Sequence, residues 1–201
     1  MDMPVKRGSA SSRKKARKPV LGKDAWLKAA RESLIKHGIA SIQIGKLART
    51  LRATRGGFYW FFDSREQLLD HLLADWEQTN TAAWKAVLAD SEPKGMSEFL
   101  AWVDLLVNEK HYSPQWDSAI RDWARVSPKA AAAVRRNDDE RIAIVKQMFI
   151  DMGCEDTRAL VRARIAYFHQ IGYYALGVQE SREQRLKLLP LYVQFLTGQR
   201  S

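Results

Sequence analysis

The run Thr54-Arg55-Gly56-Gly57-Phe58-Tyr59-Trp60-Phe61-Phe62-Asp63-Ser64-Arg65-Glu66 holds the residues best suited to chemistry in this chain. Thr54 is a helix-capping type, and a cap there leaves the first amides of the next helix aimed outward, where the helix dipole attracts phosphate. Gly56 and Gly57 each cost a helix about 1 kcal/mol relative to alanine. Two in succession imply that close approach of the backbone to a partner outweighs helix stability. Arg55 has the reach for a phosphate or a guanine edge, and Tyr59 offers a hydroxyl to a phosphate. Phe58 and Phe62, four apart, share a face that can anchor the short helix. Trp60 either stacks on sugar or base surface or packs at the domain edge.

Charge supports a nucleic-acid partner. The formal net charge is +10. Residues 1–20 carry seven cations and one acid, residues 21–66 nine cations and four acids, and the remaining 135 residues 17 cations and 18 acids. The excess is therefore gathered around the motif instead of being spread, as an electrostatic footprint for phosphate would be. Residues 1–20 have too few apolar side chains to order themselves. They read as a disordered basic arm that tracks phosphates or enters a minor groove, or else as a solubilising tail.

The elements that must position the motif are helical, and no sustained period-2 alternation of apolar residues occurs. A first helix is expected over Lys23–His37, with Trp26, Ala30, Leu34 and Ile35 inward and Gly38 as its stop. A second is expected over Ile42–Leu51 and a third over Thr54–Phe61. The three-residue link Arg52-Ala53-Thr54 suits a helix-turn-helix. A long fourth helix should start near Ser64, where Ser64 and Gln67 form a capping-box pattern, and run to about Leu88. Further helices are expected near 96–110, 114–126, 128–152, 155–178 and 181–197. Prolines 114 and 128 mark starts, and Pro190 should kink or interrupt the last. The fold class is all-α with about nine helices: an N-terminal three-helix DNA-binding domain over residues 21–67 and a larger helical domain over 68–201.

Residues 23–72 resemble the N-terminal domain of the TetR/AcrR family of transcriptional regulators. The resemblance rests on Ala29-Ala30, Leu34, His37-Gly38, Ile44, Leu47-Ala48, the run Thr54 to Phe62, and Ser64-Arg65-Glu66-Gln67-Leu68-Leu69. It implies a phosphate contact at Tyr59, a basic contact at Arg55 and a phosphate clamp at Arg65. With Gln43, Thr54, Gly56, Gly57 and Trp60 these make the expected DNA-binding set. Two positions depart from the family pattern. Arg52 stands where a glycine is usual, and Gln43 stands where a Ser or Thr usually caps the second helix, with Ser41 as a substitute cap.

The resemblance also implies a homodimer on near-palindromic double-stranded DNA, more often a repressor than an activator, with a ligand pocket in the larger domain. Independently, the segment 155–197 is apolar over more than one face. Ile165, Phe168, Ile171, Tyr174 and Leu176 lie on one helix, with Gly172 and Gly177 available for close packing. On the last, Leu186, Leu189, Val193 and Leu196 form one stripe and Leu188, Leu191, Tyr192 and Phe195 a second. A helix apolar over two faces needs two partners, which can be its own core and a second subunit, or else the surroundings of a central helix buried in a monomer. Trp102, His111, Tyr112, Trp116, Trp123, Tyr167, His169 and Tyr173 are candidates to line a cavity for a small hydrophobic or aromatic ligand. Ordinary packing is the competing reading of each.

Catalysis is not expected. The chain has four His and one Cys, with no Gly-rich phosphate loop, HExxH or GxSxG. No cofactor or metal site is expected. The single Cys154 precludes an intrachain disulfide and fits a reducing cytosol, and no run of about 18 apolar residues occurs; together with the resemblance, a cytoplasmic bacterial protein is the expectation. The rival to a sequence-specific regulator is a basic protein that binds DNA without reading it and takes no ligand.

Overall fold

The computed structural model describes residues 21–90, 92–109 and 111–198, in which nine α-helices and one 3-10 turn occur without a strand. They are α1 (Lys23–His37), a 3-10 turn at Ile39–Ser41, α2 (Ile44–Thr50), α3 (Arg55–Phe58), α4 (Arg65–Asp90), α5 (Met96–Asn108), α6 (Pro114–Ala124), α7 (Pro128–Asp151), α8 (Asp156–Ala175) and α9 (Arg182–Thr197). The basic segment 1–20 lies outside the described residues. No helix is long and apolar enough to cross a membrane among those described.

Local chemistry sets the boundaries. α1 stops at Gly38, whose amide bonds to the Leu34 carbonyl with φ at +70°. Both Ser-Pro pairs start helices: the Ser113 hydroxyl accepts from the Trp116 amide and the Ser127 hydroxyl from the Ala130 amide. At the head of α4 the Ser64 hydroxyl accepts from the Gln67 amide, but the Gln67 side chain reaches past it to the Asp63 amide, so the reciprocal cap is shifted by one residue. α9 runs unbroken through Pro190, so the expected interruption does not occur. Gly177 has φ at +62° and follows α8 as part of the turn, so its backbone freedom serves that turn and not helix packing.

The helix-turn-helix is tighter than its sequence pattern. α2 begins at Ile44, two residues late, because residues 39–41 are taken up by the 3-10 turn. The Ser41 hydroxyl holds that turn by donating to the Gly38 carbonyl at 2.7 Å and meeting the Ser33 hydroxyl at 2.8 Å. Ser41 therefore does not cap α2, and neither does the Gln43 side chain. α3 ends at Phe58 because the Phe61 and Phe62 amides both bond to the Phe58 carbonyl. Arg52, in the place of the usual glycine, adopts a left-handed φ of +53°.

Two buried clusters form the core. One joins α1, α2, α3 and the first half of α4 to Trp116, Ala119, Ile120 and Trp123 of α6 and the start of α7. The other joins the second half of α4 to α5, α7, α8 and α9. A buried ionic network lies where they meet. The Asp117 carboxylate accepts from Arg141 Nη1 at 2.8 Å, Arg121 Nε at 2.8 Å and Trp76 Nε1 at 3.1 Å. Arg121 also grips Asp138, to which Tyr167 donates at 2.6 Å. The Arg141 guanidinium is fully buried against the rings of Trp76, Trp84 and Tyr112. Burial alone would raise the Asp117 carboxyl, but the charges of Arg141 and Arg121 more than reverse this and hold it below its ordinary value. Burial pushes the Tyr167 hydroxyl up, so it remains a proton donor.

Candidate nucleic-acid interface

The aromatic anchors of α3 are inward-facing. Phe58 and Phe62 are buried and stack at 5.1 Å, Trp26 of α1 meets Phe58 edge-on at 5.4 Å, and Phe62 meets His71 of α4 at 5.6 Å. This ring contact fixes α3 rigidly on α1 and α4, although α3 is only four residues long. Thr54 caps it, its hydroxyl accepting from the Gly57 amide at 3.1 Å.

The two residues that follow α3 turn outward. Tyr59 is 57% exposed and Trp60 is 85% exposed. Trp60 therefore does not pack at a domain edge, and of its two sequence readings the outward-facing one fits its placement. Gly56 and Gly57 lack a positive φ, and a methyl group on either would meet only the Thr54 hydroxyl, at 3.7 and 3.6 Å. Nothing within the described chain requires glycine at these two positions.

Beside α3 lies an open groove of about 390 Å³ lined by Gln43, Ile44, Gly45, Lys46, Arg49, Arg55, Tyr59 and Arg65. It brings together four residues singled out from sequence: Gln43, Arg55, Tyr59 and Arg65. It adds Lys46 and Arg49, which the sequence reading did not select. Both are exposed and one turn apart on the polar side of α2, opposite the buried Leu47 and Ala48. That spacing was the available signal. Gly45 was missed too. A Cβ there would fall 2.9 Å from Arg55 Nη2 and 3.1 Å from Nε, so the missing side chain makes room for the Arg55 guanidinium to lie across α2.

Arg65 is not a free surface cation. Its Nε donates to the Ile42 carbonyl at 2.6 Å and its Nη2 to the Ile39 carbonyl at 3.4 Å. It ties α4 to the link before α2, which positions the groove. Gln43 precedes α2 with its side-chain amide donating to the Ala40 carbonyl at 3.3 Å.

The candidate ligand residues scatter. Trp116 and Trp123 share a face, as their spacing implies, but that face is built into the core against α1 and the head. Arg31 of α1 lies 5.0 Å over the Trp116 ring. Tyr112 and Tyr167 are buried in the second core, and His111 is exposed in the α5–α6 link with φ at +57°. Trp102, His169 and Tyr173 do converge, on a small cavity between α5, α8 and α9. No group of His, Cys, Asp and Glu that could hold a metal occurs among the described residues.

On α8 and α9 a broad apolar face is left uncovered. Val161, Ile165 and Phe168 are each more than half exposed at i, i+4, i+7 spacing on α8. Leu191, Tyr192 and Phe195 are exposed on α9, Phe195 to 85%. Of the expected second stripe of α9, Leu191 and Phe195 are open, Tyr192 is exposed but meets the His169 ring at 4.8 Å, and Leu188 is half-buried; of the first, Val193 is buried and Leu189 and Leu196 pack on the core, but Leu186 is exposed.

Residues 27–72 match the family described as bacterial regulatory proteins, tetR family. Among solved structures the chain is similar in fold to Salmonella enterica GusR, at 17% identity and a TM-score of 0.68 over 88% of this chain and 93% of that one. It is similar also to the reduced form of E. coli NemR, at 16% identity and a TM-score of 0.65 over 89% and 97% of the two chains. A transcriptional regulator of the TetR/AcrR family from Thermobifida fusca YX-ER1 gives 16% identity and a TM-score of 0.62 over 89% and 98%. At these identities the likeness establishes the fold. No curated protein sequence matches the chain. Residues 27–72 are thus a DNA-binding domain of the tetR family of bacterial regulatory proteins, carried on a chain with the fold of such regulators.

Proposed function

We propose that this protein is a dimeric, sequence-specific repressor that reads a near-palindromic operator and is released by a small-molecule effector. The carrying observation is the pairing of Gly56 and Gly57, which the chain does not need for its own packing, with a groove edged by Lys46, Arg49 and Arg55. A bare backbone at a capped helix start, next to three cations, suits an edge of the DNA backbone lying against it. Residues 21–67 act as the reading head and 68–201 as the body. Exposed Tyr59 and Trp60 extend the same face.

The uncovered faces of α8 and α9 support the dimer. Exposed Val161, Ile165 and Phe168 on α8 and Leu191 and Phe195 on α9 are the kind of apolar side chains that a second subunit buries. Two heads would then address successive major grooves, roughly 34 Å apart. α6 carries Trp116 and Trp123 into the head core and Asp117 and Arg121 into the body network. A shift of α6 therefore moves the head relative to the body, and effector binding in the body changes the spacing of the heads.

A protein that binds DNA without reading it would use the same cations but would have no use for a built aromatic anchor under α3. The test is Arg55→Ala and Tyr59→Phe measured by DNA binding and by sedimentation. The proposal expects weaker binding from an intact dimer in both variants. Unchanged affinity in both would remove α3 as the reading element.

A further inference from the structure

The cavity between α5, α8 and α9 has a chemistry of its own. Its volume is about 80 Å³, and Leu106, Ala166, Leu189 and Leu196 give it apolar walls. Two of its lining side chains are buried polar groups without partners. Trp102 Nε1 and Gln170 Nε2 are both hydrogen-bond donors, both sit on residues more than nine-tenths buried, and neither finds an acceptor among the described residues. Buried donors left unpaired are costly, so a ligand seated between α5, α8 and α9 that brought an acceptor to both would gain by pairing them.

The charges around the cavity define that acceptor further. Arg185 lines it, but its guanidinium already donates to the Leu106 carbonyl at 3.2 Å and the Val107 carbonyl at 3.4 Å, and lies 5.0 Å over the Tyr173 ring. Glu180 contributes an anion to the same lining. His169 at the edge is held below its ordinary value by burial, which favours the neutral ring. A carboxylate would therefore meet no uncommitted cation and would face Glu180, whereas an uncharged carbonyl oxygen meets two neutral donors. Size restricts the ligand as well: a cavity of roughly 150 Å³ is needed to hold benzene.

We infer that this cavity binds a small uncharged molecule whose carbonyl oxygen accepts from Trp102 Nε1 and Gln170 Nε2 and whose short apolar body lies against Leu106, Leu189 and Leu196. This is the effector step of the regulator proposed above, and only its consequence rests on that reading. α9 gives Leu189, Tyr192 and Leu196 to the cavity and exposes Leu191 and Phe195 on the other side. Occupancy sets the seat of α9 on α5, and with it the shape of the apolar face that a second copy would cover.

The test is a titration of the full chain with butyramide and with butyrate, two molecules of equal size, followed by two-dimensional proton–nitrogen NMR. The Trp102 indole signal is identified by its loss in Trp102→Phe. Butyramide should move the Trp102 indole and Gln170 side-chain amide signals saturably, with a dissociation constant on the order of millimolar for so few atoms. Butyrate should bind at least about tenfold more weakly. Ala166→Leu, which fills the cavity, should abolish the shift while the other indole signals stay in place. Gln170→Leu, which removes one donor at nearly constant volume, should weaken it. The inference is overturned by any of three results: no saturable shift with butyramide, equal or tighter binding of butyrate, or a shift that survives cavity filling. No DNA enters the measurement, so loss of the DNA-binding reading would leave it standing, and its own failure would leave the DNA-binding reading untouched.

Discussion

Replacing Gly56 by alanine separates what the fold requires from what a DNA partner requires. The added methyl group would sit 3.7 Å from the Thr54 hydroxyl, an ordinary contact, and the backbone at Gly56 has no left-handed φ. For folding alone, alanine removes unfolded-chain entropy and improves helix propensity, a gain of about 0.5–1 kcal/mol. At a DNA surface the same methyl group holds the phosphate backbone away from the α3 amides. Losing one charge-assisted hydrogen bond costs about 1.5–3 kcal/mol, or roughly 10- to 150-fold in affinity for each head. Urea unfolding and fluorescence anisotropy on the same preparation give both numbers. Gly56→Ala should be equal to or more stable than the parent and bind DNA at least tenfold more weakly. Parental affinity would refute the close-approach argument, and marked destabilisation would mean that the glycine serves the fold after all.

Three other substitutions probe the rest of the account. Asp117→Asn leaves the fully buried Arg141 without its carboxylate partner and should cost about 3–5 kcal/mol in chemical denaturation; a loss under about 1 kcal/mol would show the network to be dispensable. Because the Asp117 carboxyl is lowered in the fold, its contribution is present above the unfolded value near about 4 and is lost as pH falls through the folded value. The acid limb of the stability profile should therefore be shallower in the Asn variant. Arg52→Gly relieves a left-handed residue at φ +53° and should stabilise the head by about 1 kcal/mol, which a thermal melt would detect. Phe195→Asp places a charge on the exposed face of α9 and should yield monomers in sedimentation. An unchanged dimer would move the interface elsewhere.

Much of this molecule is legible from its residues. α1 falls on its expected bounds because Gly38 terminates it sharply, and the two Ser-Pro starts hold because serine caps and proline fits the first turn. The helix-turn-helix is less legible. Its boundaries depend on the Ser33–Ser41 contact and on Arg65 reaching back to the Ile39 and Ile42 carbonyls, and both connect residues distant in sequence. Tyr59, just past α3, could be named from its type and spacing, Trp60 kept two readings, and Gly45 acquires meaning only when Arg55 is seen lying across it. The aromatic candidates illustrate the limit most clearly. Trp116, Trp123, Tyr112, Trp102 and Tyr173 are alike as residue types, and only packing separates Trp116 and Tyr112, enclosed in the core, from Trp102, a core ring that also borders the small cavity, and from Trp123 and Tyr173, which border an open groove. Gln170 gave no sequence signal, since an amide in a helix is usually solvated.

The most direct test of the regulator reading is selection of duplexes from a random pool by the full chain, followed by anisotropy on the enriched sequence and a scrambled one across a salt series. The account predicts a near-palindromic sequence bound about a thousandfold or more tightly than its scramble, with the preference persisting as salt weakens both. Failure to enrich any sequence, with equal and steeply salt-dependent binding to all duplexes, would contradict it and leave a protein that holds DNA without reading it.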